Sequence, residues 1–227
     1  MADETREKNA KVWKRDDLDF YVEEPRASEA LFAVEKFVGS IWDPACGGGN
    51  IIRAAIAAGY RAIGTDVAVR AGEASWFAGA LDFMGTADCL AYPSECDDLE
   101  NIATNPPFYR GKGTEAFIRK ALQVVKGKVA VFTSIKFLAG ATRANGLFAE
   151  HCPHRIWIVT PRVSCPPGAW LEAGNKAGGG TDDWVWLVWD MTAPRVTTAQ
   201  MGWLRKGLFD ASLRSRADPL SGASKGR

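Results

Sequence analysis

Ser40-Ile41-Trp42-Asp43-Pro44-Ala45-Cys46-Gly47-Gly48-Gly49-Asn50 runs from strand-forming residues into a turn made of one acid, one proline and three consecutive glycines. Just beyond it, Asn50 can cap a helix over residues 51–58 that Gly59 stops, and residues 60–65 read as a second strand ending at Asp66. Strand, glycine-rich turn, helix and strand within about thirty residues make the start of a βαβ unit. The alternation extends both ways. Upstream, Ser28 can cap a helix over residues 29–37 that ends near Gly39. Downstream come a helical stretch at 70–83, a third strand ahead of Asp88, and a strand at 102–104 ending at Asn105. A helix from Thr114 to Val125, a strand at 129–132, a helical stretch at 145–150 and strands at 155–160 and 184–189 follow. This pattern predicts an α/β fold, a mostly parallel sheet with helices on both faces, whose ligands bind at the carboxyl ends of the strands.

The turn at residues 43–50 has a physical use. Glycine lets the backbone lie close to a ligand, and the N–H groups of the following helix favour a negative group. Gly47 and Gly49 suit the amino-acid end of such a ligand, and Asp43 offers a carboxylate for an ammonium. A dinucleotide site wants a third glycine where this chain has Asn50, Ile51 and Ile52, and Asp43 would repel a phosphate. A zwitterionic adenosyl ligand fits better. Asp66, at the end of the second strand, is placed for ribose hydroxyls, with a helix cap as the plainer alternative. Asp88, after the third strand, is a candidate acceptor for a cofactor amino group or a surface turn residue.

Asn105-Pro106-Pro107-Phe108 closes the next strand. Neither proline can donate to a sheet, so the pair reads as a rigid corner. The Asn105 side-chain oxygen and the Pro106 carbonyl can both accept from one NH₂ group, which aims the nitrogen lone pair at a methyl donor and favours the positive charge growing on nitrogen. Phe108 can offer a ring face to a planar base.

At these residues the sequence resembles the S-adenosylmethionine-dependent amino-methyltransferases, whose signatures are an Asp-Pro-x-Cys-Gly-x-Gly turn and an Asn-Pro-Pro-Phe/Tyr corner. Residues 43–50 and 105–108 match both. The resemblance implies a Rossmann-like class I sheet of seven strands with a reversed last strand, for which residues 184–189 are the candidate. It implies S-adenosylmethionine as cofactor, held by Asp43, Pro44, Ala45, Cys46, Gly47, Gly49, Asp66 and Asp88, with Asn105 shared between cofactor and catalysis. Catalysis falls to Asn105, Pro106, Pro107 and Phe108. The family also uses an upstream segment with an aromatic and Thr-Pro. Here Phe20-Tyr21-Val22-Glu23-Glu24-Pro25 stands in that place, so Tyr21 and Pro25 carry over with Glu-Glu in place of the threonine. Residues 137–140, 155–164 and 186–190 look like small phage- and mobile-element-associated DNA adenine-N6 methyltransferases, a similarity covering residues 20 to 190. That implies double-stranded DNA as partner, with a flipped adenine.

Sequence-specific enzymes of this kind usually carry a sizeable target-recognition domain, for which this chain is expected to have no room. Recognition would fall to short loops, tails, a homodimer or a specificity partner. Phe108, Tyr109, Arg110 and Lys112 are the candidate substrate contacts, and the Gly- and Pro-rich loop at 164–183, carrying Trp170, could reach a groove. The same corner serves methylation of an RNA base or of a glutamine amide. A silent methyltransferase-fold adaptor and a nucleotide-dependent oxidoreductase are the alternatives from other classes.

Composition sets the outer bounds. The chain has 227 residues, 47% hydrophobic and 24% charged, as expected for one globular domain. No apolar run reaches the length of a membrane span and the N-terminus lacks a signal-peptide core, so a cytoplasmic protein is expected. Five scattered cysteines without a C-x-x-C pair argue against disulfides, and His151 and His154 around Cys152 lack a fourth ligand, so no metal is expected. The net charge of +1 is neutral on nucleic acid. Basic clusters at Arg110 and Lys112, at Arg205 and Lys206, and in the tail are candidate contacts or ordinary solvated faces. The expected organisation is a charged arm at 1–19, a methyltransferase domain at 20–193, and a basic helix and tail at 194–227, where Met201, Leu204 and Leu208 lie near helical spacing.

Overall fold

The computed structural model describes residues 18–85, 99–178, 180 and 182–207. Eight strands form one sheet: β1 (Ser40–Asp43), β2 (Ala62–Asp66), β3 (Phe77–Ala80), β4 (Leu99–Thr104), β5 (Lys128–Ser134), β6 (Arg155–Val159), β7 (Trp184–Asp190) and β8 (Gln200–Leu204). Their order is β3-β2-β1-β4-β5-β7-β6-β8. All neighbours are parallel except β7, which runs against both β5 and β6. The fold class is thus as expected, with one strand more than seven. The reversed strand is β7, and β8 follows it.

Most strands are buried on both faces and read as near-continuous apolar runs. In β7, Trp184, Trp186 and Val188 face one core layer while Val185, Leu187 and Trp189 face the other. The first layer packs against α1 (Pro25–Val34) and α2 (Asn50–Ala57) through Leu31, Phe32 and Ile51. The second packs against α3 (Lys112–Val124) through Phe117, Ile118 and Leu122. Each large side chain removed from water this way contributes about 1.5–3 kcal/mol. The buried indoles keep their N–H groups satisfied: Trp42 donates to Thr65 Oγ1 at 3.0 Å, Trp186 to the Ala27 carbonyl at 3.0 Å, and Trp189 to the His151 carbonyl at 2.9 Å.

The short helices α4 (Ala141–Asn145), α5 (Leu147–Glu150) and α6 (Gly168–Glu172) fill connections, α6 within the loop expected at 164–183. At the amino-terminal end of β5 and β6, buried Glu35 accepts from Lys128 at 2.9 Å and from Trp157 Nε1 at 2.8 Å, and also pairs with Arg155. This knot fastens the end of α1 under the sheet.

Several local expectations are corrected. Helix α1 begins at Pro25, not after Ser28, because proline presets the first helical turn; Glu24 occupies the cap position. Gly49, at φ +83°, caps α2, and Asn50 instead donates its side chain to the Glu23 carbonyl at 2.8 Å. Gly111, at φ +84°, takes the cap position of α3 in place of Thr114. Residues 70–83 are not helical: Gly72 and Gly79 take φ of +59° and +118°, and the segment yields strand β3. Met201 and Leu204 lie on a strand, not a helix. Gly202 crosses the face of Trp157, where a Cβ would come within 2.3 Å of the ring, so the backbone pairs closely with β6. The remainder of the expected C-terminal helix, the arm before residue 18 and Asp88 lie outside the described residues.

Candidate active site

The sheet order reverses direction of travel at β1: β2 and β3 lie to one side, β4 and β5 to the other. A crevice opens there at the carboxyl ends of the strands. Asp43 ends β1 and Asn105 follows β4, and these two strands are hydrogen-bonded neighbours. Topology therefore sets the turn and the corner side by side.

Cross-bonds fix the turn. The Cys46 N–H donates to the Thr65 carbonyl at 3.0 Å, Gly49 N–H to the Cys46 carbonyl at 2.7 Å, and Gly47 N–H to Asp66 Oδ2 at 2.8 Å. Gly47, at φ +49°, lies under the Phe20 ring. Asp66 also accepts from the Ala68 N–H at 3.0 Å and from Arg70 Nη1 at 2.5 Å. The Arg70 guanidinium in turn sits 4.2 Å from the Phe20 ring centroid.

The corner is held from the other side. Asn105 Nδ2 donates to the Tyr21 carbonyl and to Glu23 Oε2, each at 2.9 Å. Asn105 Oδ1 is buried and has no hydrogen-bond partner. Both amide protons being spent on acceptors, the orientation of the amide is fixed and its oxygen is left to accept. Tyr21 and Glu23 belong to a strap, residues 18–23, with further ties, among them Asn50 Nδ2 to the Glu23 carbonyl at 2.8 Å, Val22 N–H to the Pro166 carbonyl at 2.9 Å, Gly168 N–H to the Phe20 carbonyl at 2.8 Å, and Tyr109 N–H to the Asp19 carboxylate. Glu24 accepts from the Ser164 N–H at 2.6 Å and from Arg26 at 2.8 Å. Both glutamates of the Glu-Glu-Pro sequence thus have structural partners.

Strap, turn and corner enclose a cavity of about 240 Å³. Its walls include Tyr21, Glu23, Asp43, Pro44, Ala45, Cys46, Gly47, Gly49, Asp66, Asn105, Pro107 and Tyr109. Burial pushes the Glu23 carboxyl up to about 7, against the hydrogen bond from Asn105 and the charge of Arg53. Burial also raises Asp43 well above the usual carboxylate range, and the charges of Glu23 and Asp66 add to the rise. The Cys46 thiol is likewise raised by burial and by Asp43 and Asp66. A cavity lined by mutually repelling carboxylates and an unsatisfied acceptor favours a ligand carrying positive charge and N–H or O–H donors.

Most of the expected site residues meet here, with differences. Phe108 does not border the cavity. Its ring lies between Tyr21 and Trp184, with centroids at 5.6 and 5.7 Å, in an aromatic row that continues to Phe132. Tyr109, half-exposed and at φ +36°, borders the cavity instead. Pro106 is buried, Lys112 is exposed at the start of α3, and the Arg110 side chain is outside what is described. Sequence reasoning missed Phe20, Glu23, Arg70 and Asp82, all in the cavity wall. Asp82 follows β3, where an acid was expected, and its carboxylate accepts from the Met84 and Gly85 N–H groups at 3.1 and 2.9 Å.

No family model matches the sequence, and no curated protein matches it. Solved structures do. A protein from Listeria monocytogenes assigned as a class I S-adenosylmethionine-dependent methyltransferase superposes with a TM-score of 0.50 at 14% identity, over 84% of this chain and 66% of the other. The M protein of the type I restriction enzyme EcoKI gives 0.51 at 13% identity, over 82% and 49%. The fold is that of the class I methyltransferases. A Lactococcus lactis protein assigned as a hemolysin shares the architecture, at a TM-score of 0.50 and 11% identity over 86% and 96%. The chain spans less than two thirds of the Listeria protein and about half of the EcoKI subunit. Within the methyltransferase fold, β8 is carried outside β6, and no helix among the described residues is long and apolar enough to cross a membrane.

Proposed function

We propose that the protein transfers a methyl group from S-adenosylmethionine to an exocyclic amino group, N6 of adenine in DNA. One observation carries this reading: Asn105 Oδ1 is buried without a partner while its Nδ2 is doubly committed, in the same cavity as the glycine turn. A buried acceptor left unmade costs about 1–3 kcal/mol, so a donor from a ligand restores that loss on binding.

The residues fit such a cofactor. Asp43 takes the ammonium of the amino-acid end, and Asp66 the ribose hydroxyls once Arg70 yields its place. The buried carboxylates as a group favour a cation. When bound, S-adenosylmethionine supplies an electrophilic methyl group on a positively charged sulfur. Asn105 Oδ1 and the Pro106 carbonyl would accept hydrogen bonds from the two N–H groups of the substrate, which turns the nitrogen lone pair towards that methyl group. As the N–C bond forms the S–C bond breaks, S-adenosylhomocysteine leaves, and one N–H proton passes to water to give the neutral methylated amine. Both acceptors interact more strongly as positive charge develops on nitrogen, so they stabilise the transition state more than the ground state. Placement within reach of the methyl group supplies the rest. A base inside a duplex cannot reach this cavity, so the target nucleotide leaves the stack, and Tyr109 offers the ring on which it rests.

DNA is preferred because of the resemblance to small DNA adenine methyltransferases, with Lys112 and Arg110 beside the corner as phosphate contacts. The test is transfer of labelled methyl from the cofactor to separate DNA, RNA and protein pools, followed by nucleoside digestion. Label in N6-methyladenine from DNA is the expected result. Label only in RNA or in methylglutamine would replace the substrate while keeping the chemistry, and no cofactor binding by calorimetry would end the reading.

A further inference from the structure

We infer that Glu23 is a positioning residue for the transfer step, holding the Asn105 amide in the orientation that leaves Oδ1 as the acceptor and strengthening that acceptor with its charge. This rests on the proposed function and deepens it. An asparagine amide can turn over, exchanging its donor and acceptor ends. With the NH₂ end facing the substrate, it would meet the substrate's own NH₂ donor to donor. Three contacts of Nδ2 oppose this, the Tyr21 carbonyl and Glu23 Oε2 at 2.9 Å each and, more weakly, Cys165 Sγ at 3.8 Å. The Tyr21 carbonyl is backbone and does not titrate. Glu23 is only 6% exposed and stands in the cavity wall.

The Glu23 carboxylate does more than block the flip. A hydrogen bond to an ionised acceptor is roughly twice as strong as a neutral one and polarises the donor amide, placing more negative charge on Oδ1. That charge is useful when the substrate nitrogen turns positive. The groups facing Glu23 include Ser28 on α1, the Arg53 guanidinium on α2, Asp43 at the end of β1, Asn105 after β4, and Cys165 before α6. Burial opposes the ionised form, while a backbone hydrogen bond, Asn105, Ser28 and the charge of Arg53 favour it, and the balance puts the Glu23 carboxyl at about 7. The acceptor is therefore adjustable around neutral pH.

Two readouts test the inference. In ¹⁵N-labelled protein, the Asn105 side-chain NH₂ signal, identified by its loss in Asn105→Ala, should shift with pH around neutrality. That shift should vanish in Glu23→Gln. In methyl transfer at saturating cofactor and substrate, kcat should rise about tenfold from low to high pH in the wild type with KM unchanged, as expected for a gain of one charge-assisted bond. Glu23→Gln, which keeps an acceptor, should be flat at the low plateau, and Glu23→Leu should fall below it. A pH step that survives in Glu23→Gln would belong to Asp43 and would overturn the inference, as would an Asn105 signal indifferent to Glu23. Absence of methyl transfer by the wild type on every pool would overturn the functional reading instead, and the NMR readout would still decide whether Glu23 governs Asn105.

Discussion

The Phe20 ring occupies the space that a side chain on Gly47 would need: a Cβ there would come within 2.4 Å of Phe20 Cε2. Gly47 is also at φ +49°, which a side chain disfavours. Gly47→Ala should therefore distort the turn and displace the strap, costing about 1–3 kcal/mol of stability and most of the cofactor affinity. Gly48→Ala is the control, since nothing lies within 4 Å of its Cβ position. Thermal melts and calorimetry with S-adenosylmethionine should separate the two variants, and equal behaviour would remove the strap from the cofactor site.

Asn105→Ala should lower methyl transfer by about two to three orders of magnitude, the usual scale for removing a transition-state hydrogen-bonding group. Cofactor affinity should stay within a few-fold. Asp43→Ala should do the reverse, losing cofactor binding first. Full turnover by Asn105→Ala on DNA would refute the mechanism.

Stability should depend on pH through Glu23. Its folded-state carboxyl titrates near 7 instead of the ordinary 4.5, so the folded chain holds a proton that the unfolded chain has released. The resulting stabilisation is complete below the unfolded value and is lost as pH rises through the folded one, about 3 kcal/mol across the window. Glu23→Gln lacks this loss. In chemical denaturation of the cofactor-free protein it should be more stable than wild type above neutrality, with the difference shrinking towards acid. A pH-independent difference would place its effect in packing, not in titration.

If nucleic acid is the substrate, Arg110→Ala with Lys112→Ala should weaken binding across sequences and reduce the dependence of log affinity on log salt by about two. Fluorescence anisotropy on a labelled duplex at several salt concentrations measures the slope. An unchanged slope would remove that loop from the interface.

The parts legible in the sequence were those whose chemistry is written locally. Residues 43–50 and 105–108 depend on glycine and proline, which restrict or free the backbone wherever they stand, so both could be placed on strand ends before any contact was known. Glu23 was not legible, because its role is a contact with a residue 82 positions away. Arg70 was hidden for a related reason: the segment around it reads as helical, whereas Gly72 and Gly79 take positive φ there and the Arg70 side chain lies against Asp66. The Phe108 ring is expected from the sequence to face a substrate base, but a neighbouring tryptophan and tyrosine draw it into the aromatic row, and Tyr109, the next residue, borders the cavity instead.

Strand β8 carries a practical consequence for anyone shortening this protein. Leu204 is 1% exposed and belongs to the core, so Gln200–Leu204, beyond residue 193, are part of the sheet. A fragment ending at the expected domain boundary would keep every cavity residue and still lose the outer neighbour of β6. Ile156, Trp157 and Ile158 would then flank a row of open backbone groups, the arrangement on which strands of separate molecules join. Such a fragment should come out of solution as aggregate, and an inactive preparation of it would report on an uncovered edge, not on the chemistry of the cleft.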